Sequence, residues 1–302
     1  FTLGNNHIMD QGEDGLKSTM KTLSEAKISF VGAGKSKIDA SKSFIVERNE
    51  FKLGIYACAE HEFSCADYNK AGANPYDPLE TYEQIYDLKE HCNYVIVLYH
   101  GGKEHYRYPS PDLQKICRKF IDKGADLVVC QHSHCIGCEE KYNNGTIVYG
   151  QGNFLFDRSD IDEWKTSLLI AVENGNVSYI PLKKQDDKVR LASKIESEQI
   201  LQGFMKRSLE IKNKEKVNTN YNQFTSELIY DYLWTLSGAG KSILLRFINR
   251  MSGYKFCKKY LDKKYNQASI LAILNYFECE AHREVIINAL KNKVYRSEED
   301  LK

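Results

Sequence analysis

The chain has 302 residues, with 42 Lys+Arg against 41 Asp+Glu, a net charge of +1 and 42% apolar residues. That length carries one large domain, or one domain and a smaller appendage, around a sizeable core. The charge balance excludes an overall field that would draw in nucleic acid or an anionic membrane, and no run of 18 apolar residues offers a membrane span.

In chain order, Phe1 to Leu3 reads as a strand end without an initiator Met or signal pattern, so the chain is expected to begin inside a domain. The loop Gly4-Asn5-Asn6-His7 follows. A helix is predicted over about 12–27, with Leu16, Met20, Leu23 and Ala26 on one face. Ile28 to Val31 reads as a short strand, and Phe44–Glu47 and Lys52–Ala57 as strands around Arg48-Asn49-Glu50. A helix is predicted over about 79–91. Tyr94 to Tyr99 is a continuous apolar run, the pattern of a parallel strand buried on both faces. Pro111-Asp112 opens a helix that ends before Gly124, and Leu127 to Cys130 is a second buried strand, closing a βαβ unit. Ile147 to Gly150 reads as a further strand. Asn174-Gly175 joins strands 167–173 and 176–182 in a hairpin.

Beyond about residue 194 strand signals vanish, and helical periodicity is read at about 195–212, 221–236, 240–251, 254–264 and 279–291. The expected organisation is therefore an α/β domain over 1–194 and a helical region over 195–302. Nine cysteines, an odd number partly inside apolar strand patterns, fit reduced thiols and a cytoplasmic location. An anchor or signal upstream of Phe1 would instead allow a membrane-anchored or extracytoplasmic placement.

Three polar segments stand at predicted strand ends: Gly4-Asn5-Asn6-His7, His100-Gly101-Gly102 and Gln131-His132-Ser133-His134. Ligand sites in open α/β sheets form at the carboxyl ends of strands, so these segments are expected to converge. Imidazoles with a carboxamide oxygen suit a divalent metal such as Zn, Mn or Fe. His132 and His134, two apart, point to one side of extended backbone. Gly101 and Gly102 let backbone or substrate approach His100 closely, and His7, beside Asn6, is placed to act as a general acid.

Other segments carry less. Gly32-Ala33-Gly34-Lys35-Ser36 and Gly238-Ala239-Gly240-Lys241-Ser242 lack the upstream glycine of a P-loop. Cys135 and Cys138 have zinc-ligand spacing, but no second pair stands at finger spacing, so a structural zinc module is the weakest reading. Glu60-His61-Glu62 follows a strand, which invites a substrate role, but reads first as a solvated loop.

The same residues resemble the CapA family, the capsule and poly-γ-glutamate synthesis proteins. Asn5-Asn6-His7-Ile8-Met9-Asp10-Gln11-Gly12 is similar to that family's NNHxxDxG, His100-Gly101-Gly102-Lys103-Glu104 to HWGxE, Gly124 to His134 to GADxVxGHHPH, and Tyr149 to Asp157 to YSLGNFxFD. The resemblance implies a metallophosphatase-like mixed-sheet sandwich flanked by helices. It implies Asn6, His100, His132 and His134 as metal ligands, with Asn6 bridging two ions of Mn, Zn or Fe, and His7 as the catalytic acid. Asn5, Glu104 and Asn153 match recurring positions for which substrate contact is the expectation. The implied function is a metal-dependent phosphoesterase-type hydrolase in surface-polymer synthesis, acting on a surface polymer or phosphorylated glycan beside capsule-synthesis partners. The alternative is a non-catalytic metal-binding assembly or export factor. This sequence departs from the pattern in having Gly101 for Trp, His105 for Tyr, Cys130-Gln131 at the start of the GHHPH segment and Ser133 for Pro. The family's carboxylate ligands belong before NNH, where this chain starts, so weak metal binding and poor catalysis are expected of these 302 residues.

Overall fold

The computed structural model describes residues 1–156, 161–253 and 255–299. It divides into two compact units, Phe1–Tyr221 and Asn222–Lys302.

The first unit opens with α1 (Gly12–Glu25), β1 (Ala33–Gly34) and the single turn α2 (Lys37–Ala40), which Ser36 caps by accepting the Asp39 amide N–H. Leu16 of α1 packs with Leu3, Ala33 and Ala71 in a small satellite core. The predicted strand at Ile28–Val31 does not form a ladder. Only Val31 bridges Thr2, in parallel, and the Phe1 amino group donates to the Ser29 carbonyl. Next come β2 (Phe44–Arg48), β3 (Phe51–Ala59), β4 (Gly72–Ala73), α3 (Thr81–His91), β5 (Tyr94–His100), α4 (Pro111–Asp122), β6 (Leu127–Cys130), β7 (Glu139–Tyr142) and β8 (Gly145–Val148). Six strands form one sheet in the order β2-β3-β5-β6-β8-β7. The β3, β5, β6 and β8 strands run parallel, with antiparallel β2 and β7 at the edges.

Helices α3 and α4 cover one face of this sheet. There Val95, Val97 and Tyr99 pack against Ile85, Leu88, Leu113, Cys117 and Phe120, all buried. Phe120 meets the rings of Tyr76, Tyr82 and Tyr99 at centroid distances of 5.8, 5.9 and 5.4 Å. The other face meets β9 (Thr166–Glu173), β10 (Asn176–Gln185) and β11 (Lys188–Leu191), a three-stranded antiparallel sheet in the order β11-β10-β9. Asn174 and Gly175, both with positive φ, make the predicted hairpin turn. Ile96 and Leu98 on this face of β5 are only half-buried, because they border a cavity of about 290 Å³ with Phe154, Leu168, Ile170 and Leu182. The result is the expected mixed α/β architecture, a sandwich of two sheets flanked by helices.

Two more helices begin within the first unit, α5 (Lys194–Glu210) and α6 (Lys214–Leu236), and the unit boundary falls inside α6. Ser193 and Glu196 form a capping box on α5. Phe204 of α5 is fully buried in the inter-sheet core, and Ile211 and Val217 join the core beneath α3 and α4. The buried Arg207 donates to the carbonyls of Gly137 (2.7 Å) and Ile136 (3.1 Å), and burial lowers its pKa to about 10. The compact unit therefore runs past residue 194 to Tyr221.

The second unit contains the end of α6, then α7 (Ile243–Met251), α8 (Lys255–Lys264), α9 (Gln267–Glu278) and α10 (Glu280–Glu299), around a core of Leu233, Cys257 and Leu261. Helix α9 was not among the predicted elements. Its run Ile270-Leu271-Ala272-Ile273-Leu274 lacks a polar face to set a period, so the pattern does not declare a helix. Gly238 to Ser242, one of the P-loop look-alikes, is the break before α7, with Gly238 at φ 71° and Ser242 capping the helix. No described helix is long and apolar enough to cross a membrane.

Candidate metal centre

The parallel strands β3, β5 and β6 end side by side, and the site lies at those ends. Ala59 of β3 pairs with His100 of β5, and Tyr99 of β5 with Cys130 of β6. The chain then delivers Glu60 just beyond β3, His100 as the last residue of β5, and His132 two residues after β6. Asn6 reaches the same place from the N-terminal loop, where the Ser64 hydroxyl donates to its carbonyl.

One amide ties the group together. Asn6 Oδ1 accepts from His100 Nε2 at 2.9 Å, while Asn6 Nδ2 donates to Glu62 Oε2 at 2.9 Å and lies 3.4 Å from His132 Nε2. The His100 and His132 rings stack, with centroids 4.6 Å apart and planes 27° apart. Burial, reinforced by the neighbouring histidines, pushes the His100 pKa down to about 3, so this imidazole is neutral at physiological pH. His132 is 6% exposed, and its Nδ1 is buried without a hydrogen-bond partner. Glu60 Oε2 stands 3.8 Å from that nitrogen, and Glu62 Oε1 stands 3.5 Å from Nε2. Glu60 is itself fixed, its Oε1 accepting the Gly102 amide N–H at 3.0 Å.

His134 belongs to an adjoining cluster. Its ring centroid is 6.2 Å from that of His132. Nδ1 contacts Asn153 Oδ1 at 2.8 Å, and Nε2 lies 3.9 Å from Glu104 Oε1. Trp164 stacks on the His134 ring at 4.7 Å and on His105 at 5.2 Å, and its indole N–H donates to His105 Nδ1. Burial lowers the pKa of His134 as well. Its backbone is left-handed, φ 58°, a conformation that costs a non-glycine residue of order 1–3 kcal/mol and clusters at functional sites.

His7 stands at the rim, with its side chain 61% exposed and Nδ1 2.9 Å from Asp10 Oδ2. Asn5 Oδ1 accepts the His7 amide N–H, which shapes the loop. Asp157, the last residue of the fourth motif, lies outside the described residues.

The structure thus gathers Asn6, His100 and His132 in one cluster, and His134, Glu104 and Asn153 in the next, with His7 and Asn5 at the edge. Reading Glu60 and Glu62 as a solvated loop overlooked what their neighbours bring. The available signal was that β3 must lie beside β5, so whatever follows β3 meets His100. Trp164 and His105 gave no signal, since their pairing joins residues 59 positions apart and no local pattern announces it.

An amide oxygen, two imidazoles and a carboxylate are donor types suited to a divalent cation. Among the described residues, no three His, Cys, Asp or Glu side chains are gathered to hold an ion by themselves; the Asn6 amide is what joins His100 to His132. Cys135 and Cys138 are buried free thiols whose pKa burial raises, so neither is a ready thiolate. Cys138 sits in the main core.

Comparisons with known proteins agree with this arrangement of motifs. The sequence model described as "Bacterial capsule synthesis protein PGA_cap" matches residues 1–158, more than half of the chain. "PGA biosynthesis protein CapA" of Bacillus subtilis is 34% identical over 158 residues, covering 51% of this chain and 41% of its own length. "Capsule biosynthesis protein CapA" of Bacillus anthracis is 29% identical over 200 residues, covering 62% and 48%. The chain therefore spans about half the length of the curated relatives it matches. Among solved structures, the Haemophilus influenzae NAD nucleotidase aligns with 75% of this chain and 50% of its own, at a TM-score of 0.37 and 17% identity. With its family pattern matched over residues 1–158, the chain belongs to the bacterial capsule synthesis protein family.

Proposed function

We propose that this chain carries a divalent-cation site of a phosphoesterase-type hydrolase that acts in surface-polymer synthesis. The observation that carries the reading is the meeting of Asn6, His100 and His132 around one amide, with a carboxylate beside them. The names of the Bacillus relatives, both CapA, support the surface-polymer setting. A phosphorylated glycan or a surface polymer is the substrate class.

Asn6 Oδ1, His100 Nε2 and His132 Nε2 would hold the cation, one or two ions of the Mn, Zn or Fe class, with His134 in the adjoining position. Bound there, such an ion supplies Lewis-acid polarisation of a phosphoryl oxygen and a lowered pKa for water. The chain supplies the rest. His100 is kept neutral by burial, and with its ring proton on Nδ1 in place of Nε2 it would offer the cation a lone pair. Asp10 engages Nδ1 of His7 and orients the ring, which leaves Nε2 to carry a proton toward a leaving oxygen at the exposed rim. Trp164 holds the His134 ring by stacking, so that ring keeps one orientation. The odd number of cysteines, nine, supports a reducing compartment in the same proposal.

The test is hydrolysis of bis-p-nitrophenyl phosphate and p-nitrophenyl phosphate with Mn²⁺ by the intact protein, including the upstream residues that supply the family's carboxylate ligands, against its His7→Ala and His132→Gln variants. Metal-dependent turnover lost in both variants is expected. Bound metal without turnover would remove the hydrolase and leave a metal-binding assembly factor.

A further inference from the structure

We propose that the second unit carries a docking surface for an anionic lipid bilayer, built from the exposed apolar stripe of α7 and the lysines of α8. This goes beyond the hydrolase reading and does not depend on it.

Helix α7 turns its apolar face outward. Ile243, Leu244, Phe247 and Met251 share one face by their spacing, and they are 77%, 66%, 62% and 73% exposed. The residue that α7 buries is Asn249, which the helical period sets opposite the middle of that stripe. Asn249 Oδ1 accepts the Cys257 amide N–H at 3.0 Å, and Ser252 Oγ accepts that of Phe256 at 3.0 Å. These bonds to the first turn of α8 hold α7 with its polar residue inward. The core of the unit, Leu233, Cys257 and Leu261, comes from α6 and α8 instead. Single exposed apolar side chains are ordinary, but a contiguous stripe of four marks an interaction surface.

Charge names the partner. Residues 238–266 hold eight Lys and Arg and a single acidic residue, Asp262, a net +7 that leaves −6 on the rest of the chain. The near-zero balance of the whole chain conceals this segment. Asp262 is engaged, its Oδ1 accepting from the Tyr230 hydroxyl at 2.9 Å. The exposed Arg246 and Arg250 border the stripe along α7. On α8 the buried Cys257 and Leu261 turn inward, so Lys255, Lys259 and Lys263 occupy the opposite, exposed face.

An apolar stripe bordered by cations fits a bilayer surface, where apolar side chains enter the acyl boundary and Lys and Arg meet anionic headgroups. No described helix is long and apolar enough to cross the bilayer, so α7 would lie along it. A nucleic acid would use the cations and leave the stripe wet. A second copy docked on the same patch would set like charge against like charge.

The experiment is flotation of the full chain with vesicles of phosphatidylcholine alone and of phosphatidylcholine with phosphatidylserine, at low and high salt. It is repeated on the double variant Leu244→Gln/Phe247→Gln and the triple variant Lys255→Gln/Lys259→Gln/Lys263→Gln. All five side chains are exposed, so both variants should melt with the wild type. Wild-type protein should float with the phosphatidylserine vesicles, less so at high salt, and not with phosphatidylcholine alone. The lysine variant should bind on the order of 100-fold more weakly, and the apolar variant more than about 10-fold. The indole of Phe247→Trp should shift to shorter emission wavelength on binding and be quenched by brominated acyl chains. Absent binding to phosphatidylserine vesicles overturns the proposal, as does equal binding to phosphatidylcholine alone. Binding retained by the apolar variant, or an unquenched Phe247→Trp indole, overturns the insertion of α7 and leaves adsorption by charge. A dimer in sedimentation equilibrium that the apolar variant abolishes, or duplex DNA bound more tightly than the vesicles, overturns the lipid in favour of that partner.

Discussion

Asp126 lies in the motif segment that ends at His134, yet its position assigns it to the fold rather than to the site. It precedes β6, whereas His132 follows that strand, so the two lie toward opposite ends of it. Its Oδ2 accepts the amide N–H of Val95 at 2.7 Å and the ammonium of Lys89 at 2.8 Å. Val95 is fully buried. In Asp126→Ala the Val95 amide loses its acceptor, and a buried donor left without one costs about 1–3 kcal/mol. The Lys89 pair adds about 0–1 kcal/mol, since both side chains are partly exposed and Lys89 keeps the Asn93 carbonyl. The expected loss is about 2–3 kcal/mol, and less in Asp126→Asn, whose amide oxygen still accepts the Val95 N–H. Urea unfolding followed by fluorescence in a Trp234→Phe background leaves Trp164, in the first unit, as the reporter. A loss under about 0.5 kcal/mol, or a loss equal to that of Lys89→Ala, would refute the reasoning, because the Val95 amide would then carry none of the cost.

Acid should weaken the metal-free protein through His100. Its folded pKa of about 3 lies below the ordinary 6.5, so the unfolded chain binds the extra proton and stability falls as pH drops through that window. Between pH 7 and 5 the loss is about 2 kcal/mol, absent in His100→Asn, and parallel urea midpoints for the two proteins would contradict it. Phe120→Ala empties a fully buried ring site edged by Tyr76, Tyr82 and Tyr99 and should cost about 3–5 kcal/mol in the same assay. Gly101→Ala sets a methyl 2.5–2.6 Å from ring atoms of Tyr99, which is itself wedged against Tyr76 and Phe120, and should cost about 1–3 kcal/mol by thermal melting. A Gly101→Ala protein as stable as wild type would mean that the Tyr99 ring gives way.

The sequence by itself determined the strongly patterned local elements and the polar residue types at the strand ends. Period-two and period-3.6 patterns, the Asn174-Gly175 turn and the Pro111 helix start are local properties of the chain, and they were legible in the order of residues. So were Asn6, His100 and His132, because imidazoles and a carboxamide at strand ends are unusual enough to stand out. Only the tertiary structure decided what stands beside them. Glu60 and Glu62 are far from His132 along the chain, and they meet it because parallel pairing sets Ala59 against His100 and Tyr99 against Cys130. Phe204, Ile211 and Val217 likewise carry the first unit past residue 194, a matter of which apolar faces find cover and not of helix content. Helical and strand periods are fixed within a few residues, but sheet order and side-chain company are fixed by contacts between distant ones, which no local pattern encodes.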